Sequence, residues 1–263
     1  MISPPLENVN SMLLAVALLM VRMLIALSFL PMFMGNAIPA TVRISFVAGL
    51  SLCLLPLLGP HASLLHLEWS GIFPYMLKEA ALGLILGLLS SLTFWALHSA
   101  GALIEFQAGL AMSTVVDPLS GQEDSLVGAL FLQLFNMLFL VSGGLLALIG
   151  MLFDSYKIWP IDHMVPVIGN IKIISLIVQS FTGMIELVVK IAAPFVILML
   201  VAELALGLLS RFAPQLNVFF LSLPIKIVIL AILMLLFCSL LADGSLLMPN
   251  FSGIAQRLGG VIK

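Results

Sequence analysis

The chain comprises 263 residues, of which 62% are apolar and only 8% are charged, and its net charge is -2. Ordinary soluble domains carry about 25% charged residues, so this composition excludes a water-soluble monomer and a disordered chain. A small negative net charge also gives no electrostatic basis for binding nucleic acid. The composition predicts a membrane protein.

Charged residues divide the chain into about six apolar regions, and each is expected to be helical because backbone groups in lipid must be satisfied within the segment. In chain order they are Val9–Met34, Thr41–Leu58, the residues between Glu79 and Glu105, those between Asp124 and Asp154, Ile171–Ser210, and those between Lys226 and Asp243. The third and fourth are uncharged over 25 and 29 residues, enough to cross a hydrocarbon core of about 30 Å as single helices. The sequence therefore predicts an all-α membrane protein, with residues 1–263 in a single polytopic helical domain.

The last two regions do not fit a simple membrane span. As one helix, Ile171–Ser210 would reach about 60 Å, twice the hydrocarbon thickness, so we expect it to fold back, to kink at Pro194 or to leave the bilayer. The region after Lys226 has 16 uncharged residues before Asp243 and reaches only about 24 Å. These lengths indicate that lipid is not the only packing partner.

Two pairs of aromatic residues lie at the ends of apolar regions. Trp69 with Tyr75, and Tyr156 with Trp159, stand where an interfacial belt would place them. Lysine and arginine are spread over the connections, so the positive-inside rule predicts no orientation.

Ionisable residues within the apolar regions form the first set of candidate site residues. A charge at the centre of a membrane helix costs roughly 2.5–3.5 kcal/mol, so such a residue is expected to face protein, a partner charge or water. Glu186 and Lys190 are four residues apart and can neutralise each other on one helix face. Pairing within the chain or between subunits is favoured over a direct role in transport for four of these residues, namely Arg22, Glu79, Glu105 and Glu203.

Motifs of catalysis and cofactor binding are absent from the sequence. There is no Gly-rich phosphate loop, HExxH sequence, nucleophile elbow or Cys/His cluster, which indicates that the protein is not an enzyme and uses no cofactor. His98 has no second ligand at metal spacing, so we interpret it as a packed, hydrogen-bonded residue.

Two short patterns bear on helix packing and internal repetition. Gly83 and Gly87 form a GxxxG pattern, which lets a second helix approach closely. Residues Glu79–Leu84 and Glu203–Leu208 share the pattern E-x-A-L-G-L, and a true duplication would place two equivalent helices in the fold, as in many transporters. Coincidence is the favoured explanation, but a secondary transporter with a solute or ion site at broken helices stays as the alternative function.

The run Arg211–Lys226 contains the second set of candidate site residues. Pro214 and Pro224 interrupt an otherwise apolar stretch, with Gln215 and Asn217 between them. Proline breaks the helical hydrogen-bond ladder and frees carbonyls, for which these amides are suitable donors. Non-helical backbone at membrane depth is tolerated only inside protein or beside water, so we predict either a hairpin turn at the membrane surface or a broken element that lines a passage.

This run resembles the signature of the T protein (SctT) of the type III secretion export apparatus, in the family that includes FliR and SpaR, and the resemblance extends over most of the chain. Further matches are Arg22 with Pro31, Lys78-Glu79 before Gly83, Phe94-Trp95-Ala96-Leu97, Ser99-Ala100-Gly101, Asp117-Pro118, Ser120-Gly121, Gly143-Gly144 and the run Asp154–Pro160. One departure is at Glu105, which is followed by Phe-Gln-Ala-Gly where many injectisome members have an arginine before the next glycine. The Asp154–Pro160 run favours an injectisome over a flagellum.

The resemblance implies a non-enzymatic structural subunit of the export gate in the bacterial inner membrane. Its helices would form kinked hairpins that pack with several copies of the R and S proteins into a closed helical assembly, on which the U protein docks. That assembly would be raised toward the periplasmic side within the needle-complex base, and unfolded polypeptides would pass through its centre. Pro214, Gln215, Asn217 and Pro224 would then shape the pore, and no nucleotide site is expected.

Overall fold

The structure is a computed structural model that describes residues 4–34, 38–55, 69–110, 125–161, 171–213 and 218–242. Within these ranges it contains the helices α1 (Pro4–Ser28), α2 (Ala40–Leu54), α3 (Trp69–Ala108), α4 (Leu126–Val141), α5 (Gly144–Ile158), α6 (Ile171–Phe212) and α7 (Val218–Ala242), with a 3-10 turn at Pro31–Phe33. The same ranges contain no strand. The prediction of an all-α protein is confirmed for this part of the chain.

Membrane-spanning helices can be identified by their length and composition. Among the described residues, α3, α6 and α7 are each long and apolar enough to cross a membrane, and α4 with α5 makes a fourth candidate if the bent pair counts as one span. The chain is a multi-pass membrane protein.

The region between Asp124 and Asp154 is not one helix, so that prediction is wrong. The chain breaks between α4 and α5, and the two helices are bent by 73° relative to each other. At the break Gly143 adopts a φ of +79°, a left-handed conformation that glycine reaches without the steric cost of a Cβ atom. An absence of charge predicted an apolar region correctly, but it could not reveal a turn inside it.

The region after Ile171 does not fold back, because α6 stays helical through Pro194. With 42 residues, α6 is about 63 Å long, and with 40 residues α3 is about 60 Å long. Both exceed a hydrocarbon core of about 30 Å. Each helix therefore runs beyond the hydrocarbon or is covered in part by protein.

The chain divides into two compact units by its internal contacts. Unit 1 comprises Met1–Leu92, Leu145–Ser180 and Pro249–Lys263, and unit 2 comprises Thr93–Gly144 and Phe181–Met248. In unit 1 the buried face of α1 includes Leu19, Met23 and Leu27. The core of unit 2 is aromatic, with the Phe94 ring edge-on to Phe135 at a centroid distance of 4.8 Å. A single domain over residues 1–263 stays a prediction.

The long helices differ in how much of their surface the chain itself covers. The share of the most apolar stretch that is buried within the chain is 61% for α3, 28% for α6 and 17% for α7. Large apolar side chains on α6 and α7 are therefore left at the surface, among them Leu204, Leu208 and Leu235. An apolar surface of this kind has to be covered by lipid or by another protein.

Candidate functional site

A fully buried ion pair joins α1 to α3 in unit 1. The Arg22 guanidinium donates from Nε to Oε2 of Glu79 at 2.6 Å and from Nη2 to Oε1 at 3.0 Å. Neither side chain has exposed surface. Bidentate ion pairs of this kind are stronger than hydrogen bonds between neutral groups, and burial removes most of the screening by salt. Two of the predicted site residues thus contact each other directly.

Other groups of Arg22 contact α5 and the residues that follow it. Nη1 donates to Oγ of Ser155 at 3.1 Å, and Nη2 donates to the carbonyl oxygen of Trp159 at 2.9 Å. The Tyr156 ring centroid lies 4.0 Å from the guanidinium carbon, within range for a cation–π interaction. The Tyr156 hydroxyl also donates to the carbonyl oxygen of Leu19 at 2.7 Å. Arg22 therefore fixes α1, α3 and α5 in one arrangement.

Lys78 is a second cation beside Glu79. Its Nζ lies 3.1 Å from Oε1 of Glu79 and donates to the carbonyl oxygens of Pro160 and Ile161 at 3.0 and 2.9 Å. These carbonyls follow the C-terminal end of α5, where the helix dipole favours positive charge. One carboxylate and several backbone carbonyls thus hold both cations. We call Arg22, Lys78, Glu79, Ser155 and Tyr156 the Arg22 cluster.

Two glycines allow α1 to approach α3 closely enough to form this cluster. A Cβ atom at Gly83 would lie 2.5 Å from the carbonyl oxygen of Arg22, and one at Gly87 would lie 2.7 Å from that of Ala26. Any larger residue would push the two backbones apart. The prediction that the GxxxG pattern lets a second helix approach closely is confirmed, and the helix that approaches is α1.

Glu105 caps the beginning of α4 in unit 2. Its Oε2 accepts hydrogen bonds from the hydroxyl of Ser125 at 2.5 Å and from the backbone N–H of Val127 at 2.8 Å. Oγ of Ser125 in turn accepts from the backbone N–H of Gly128 at 2.9 Å, as an N-cap residue does. The N-terminus of α4 therefore supplies positive potential to the Glu105 carboxylate. Glu105 is also the position after which this sequence lacks the arginine that many injectisome members have.

Glu203 joins three helices at a half-exposed position in unit 2. Its Oε2 lies 3.0 Å from Nζ of Lys226 on α7 and accepts from Nε2 of Gln107 on α3 at 3.4 Å. The Lys226 side chain is 8% exposed, whereas that of Glu203 is 53% exposed. A carboxylate is costly beside lipid tails, so the exposed half of Glu203 requires a polar or charged neighbour.

The last predicted ion pair lies on the surface of α6. Nζ of Lys190 is 2.8 Å from Oε1 of Glu186, and their side chains are 68% and 62% exposed. The two residues are one helical turn apart, and the pair binds no second helix through this contact. Its position leaves two neutralised charges on an otherwise apolar surface.

Most of the predicted broken segment lies outside the described residues, namely Pro214, Gln215 and Asn217. α6 ends at Phe212, and α7 begins at Val218 and continues through Pro224, so the second proline lies inside a helix. Proline removes one hydrogen bond from a helix, and α7 stays helical on both sides of Pro224.

Sequence reasoning missed several contributors to the Arg22 cluster. Tyr156 and Trp159 were expected in an interfacial belt, but each is only 6% exposed and contacts Arg22, so that interpretation is wrong for this pair. Both lie in the run Asp154–Pro160, where polar and aromatic groups are concentrated. That concentration was the available signal, although no spacing in the sequence identifies Arg22 as its partner.

The arrangement is suited to holding helices together. Within the part of the chain that the structure describes, no group of three His, Cys, Asp or Glu side chains is placed to hold a metal ion. The Arg22 cluster fixes three helices, Glu105 fixes the start of a fourth, and Glu203 joins α6 to α7. Among the described ion pairs that join two helices, the pair of Glu203 with Lys226 is the one whose carboxylate side chain is half exposed.

Comparison with known proteins gives a family match and several relatives. The model of a family described as bacterial export proteins, family 1, matches residues 13–246. The chain is 37% identical to the Yop proteins translocation protein T of Yersinia pestis over 61% of each chain. It is 29% identical to the secretion system apparatus protein SsaT of Salmonella typhimurium, over 88% of this chain and 89% of that one. It is 32% identical to the flagellar biosynthetic protein FliR of Bacillus subtilis over 80% of each chain.

Proposed function

The chain belongs to family 1 of the bacterial export proteins, and from this membership we propose that it is a structural subunit of a type III secretion export apparatus in the bacterial inner membrane. The family match over residues 13–246 is the observation that carries the proposal. Relatives named for Yop translocation, for a secretion apparatus and for flagellar biosynthesis support it.

The role we assign to the chain is passive and non-enzymatic. The Arg22 cluster holds α1, α3 and α5 rigidly, which suits a wall that must keep its shape while a polypeptide moves past it. The segment from Pro214 to Asn217, with Pro224 after it, is proposed to shape a conduit for unfolded polypeptides. The energy for export then has to come from other components, since nothing in this role hydrolyses a nucleotide or needs a cofactor.

The partners we propose are the R, S and U proteins of the export apparatus, within the needle-complex base. The surfaces of α6 and α7 support this, because only 28% and 17% of their most apolar stretches are buried within the chain. An injectisome is favoured over a flagellum because of the Asp154–Pro160 run and the relatives named for Yop translocation and for SsaT. Exported polypeptides would contact the chain transiently, and nucleic acid is no partner.

Deletion of the gene in the native host tests the proposal. We expect secretion of needle and effector proteins to be abolished, flagellar motility to persist, and a tagged chain to copurify with R-, S- and U-like proteins from detergent-solubilised inner membranes. Normal secretion after deletion would contradict the proposal. Solute uptake by the purified chain alone in liposomes would instead support the secondary transporter.

A further inference from the structure

We propose that the face of α6 around Glu203 and Gly207 binds an apolar helix of another apparatus subunit, and that this helix carries an arginine that pairs with Glu203. The inference rests on the proposed function, because it requires that the chain works in a complex. It goes further by stating where one partner binds and what its recognition chemistry is.

The chain contains its own example of this contact. In the first E-x-A-L-G-L pattern, Glu79 binds the guanidinium of Arg22 through both carboxylate oxygens. The helix that carries Arg22 packs across Gly83, four residues after Glu79, where a Cβ atom would lie 2.5 Å from its backbone. Lys78 is a second cation 3.1 Å from the same carboxylate. Carboxylate, glycine and lysine together make a site for an arginine-bearing helix.

The second copy of the pattern has the same parts without that helix. Glu203 has its lysine, since Nζ of Lys226 lies 3.0 Å from Oε2. Gln107 contacts the same oxygen, so within the described residues the hydrogen bonds of this carboxylate are made through one oxygen. Gly207 lies four residues after Glu203, and in the part of the chain that the structure describes no other residue, its chain neighbours and own helix backbone aside, comes within 4 Å of the position that its Cβ would take.

The surroundings of Glu203 favour a protein helix over lipid as the occupant. Leu200, Leu204 and Leu208 share the face of α6 with Glu203 and Gly207 and are 47%, 62% and 64% exposed. An apolar helix can cover these leucines and approach the backbone at the glycine. Its arginine would compensate the exposed carboxylate, which lipid tails cannot do.

A second copy of this chain is a poorer occupant than a different subunit. The arginine on the apolar helix α2 is Arg43, which already donates to the carbonyl oxygen of Phe33 in its own chain. The arginine that α1 could offer is Arg22, which is fully buried and bound to Glu79 within its own chain. Releasing it would break a buried ion pair, which is costly, and would leave Glu79 with Lys78 as its remaining cation. We therefore expect the arginine to come from a different protein of the apparatus.

Site-specific photocrosslinking in cells that assemble the complete apparatus tests the inference. A benzophenone amino acid at Leu204 is expected to crosslink to an apolar segment of another apparatus subunit, and sequencing of the crosslinked peptide should find an arginine within it. Crosslinks to a second copy of this chain, to lipid alone or to a segment without a basic residue would overturn the inference.

A glycine pair provides a matched steric test. Gly207→Leu should lower copurification of that subunit and secretion by about tenfold or more, as overpacked contacts do. Gly183→Leu should change neither, since Gly183 lies on the same helix, also has open space around it, and is close to charges that pair with each other. Equal effects of the two substitutions would refute the proposed face.

A charge exchange tests the arginine independently of how well each variant packs. Glu203→Arg should weaken binding of the subunit, and an Arg→Glu change at the crosslinked position should restore it. No rescue would refute the pairing. If the unaltered chain copurifies with R-, S- and U-like proteins while the Gly207 and Glu203 variants behave normally, this inference fails and the proposed function stands. If deletion of the whole gene leaves secretion intact, the proposed function itself fails.

Discussion

Substitution of Arg22 by methionine measures how strongly the Arg22 cluster holds the helices together. The change leaves Glu79 fully buried, with Lys78 at 3.1 Å as its remaining cation. Removing one partner of a buried ion pair costs about 3–5 kcal/mol. The carbonyl of Trp159 also loses its donor, whereas Lys78 offsets part of the loss. We therefore expect the free energy of unfolding to fall by about 4 kcal/mol.

A second variant separates charge compensation from packing. The double substitution Arg22→Met with Glu79→Leu removes both charges and keeps similar volumes. Replacing a whole buried pair by apolar residues is often neutral or stabilising. Lys78 still loses its carboxylate, but it keeps the carbonyls of Pro160 and Ile161. We expect the double variant to recover at least half of the stability that the single variant loses.

Unfolding of the purified chain in mixed micelles with increasing denaturing detergent gives the required free energies. Lys157→Met is the control, because its pair with Asp154 is exposed and such pairs contribute little. A loss of less than about 1 kcal/mol in the single variant, well below the expected range, would refute the reasoning. The reasoning would also be refuted if the double variant lost as much free energy of unfolding as Arg22→Met and Glu79→Leu lose together when each is made alone.

Three further substitutions test the packing contacts, each measured by the same unfolding assay. Gly83→Leu should lower the free energy of unfolding by about 3 kcal/mol or more, because the leucine side chain meets the backbone of α1. The control Gly150→Leu, at a position with open space around it, should change the free energy of unfolding little. Equal losses in the two variants would contradict the close contact. Glu105→Ala should cost about 1 kcal/mol through the lost cap and should speed amide exchange in the first turn of α4; unchanged exchange would argue against the cap. Gly143→Ala should cost about 1–2 kcal/mol because alanine is strained at positive φ, and a neutral result would exclude the left-handed turn.

The parts of the fold that depend on local spacing could be predicted from the sequence. Glu186 and Lys190 pair because they lie one helical turn apart, which the sequence states directly. The GxxxG pattern likewise indicated a close helix contact. The bend at Gly143 could not be inferred from charge alone, since an uncharged stretch is equally consistent with one helix or two.

Contacts between distant segments could not be predicted in the same way. Arg22 and Glu79 are 57 residues apart, and other carboxylates in the sequence could equally have formed an ion pair with Arg22. An aromatic side chain with a polar group at the end of an apolar region suits both a membrane interface and a buried cation. Which of the two holds for Tyr156 depends on where α1 packs, and that is a property of the tertiary structure.

The two long helices α3 and α6 differ in how far the chain itself satisfies them. Both are about 60 Å long, and about 20 residues of each suffice to cross the hydrocarbon. Within its most apolar stretch α3 is 61% buried, and the carboxylates Glu79 and Glu105 on it are both bound by groups of this chain. α6 is 28% buried over the corresponding stretch, and Glu203 on it is still half exposed. The uncovered face of α6 and the half-exposed Glu203 carboxylate on it therefore support the proposal that another subunit binds this helix.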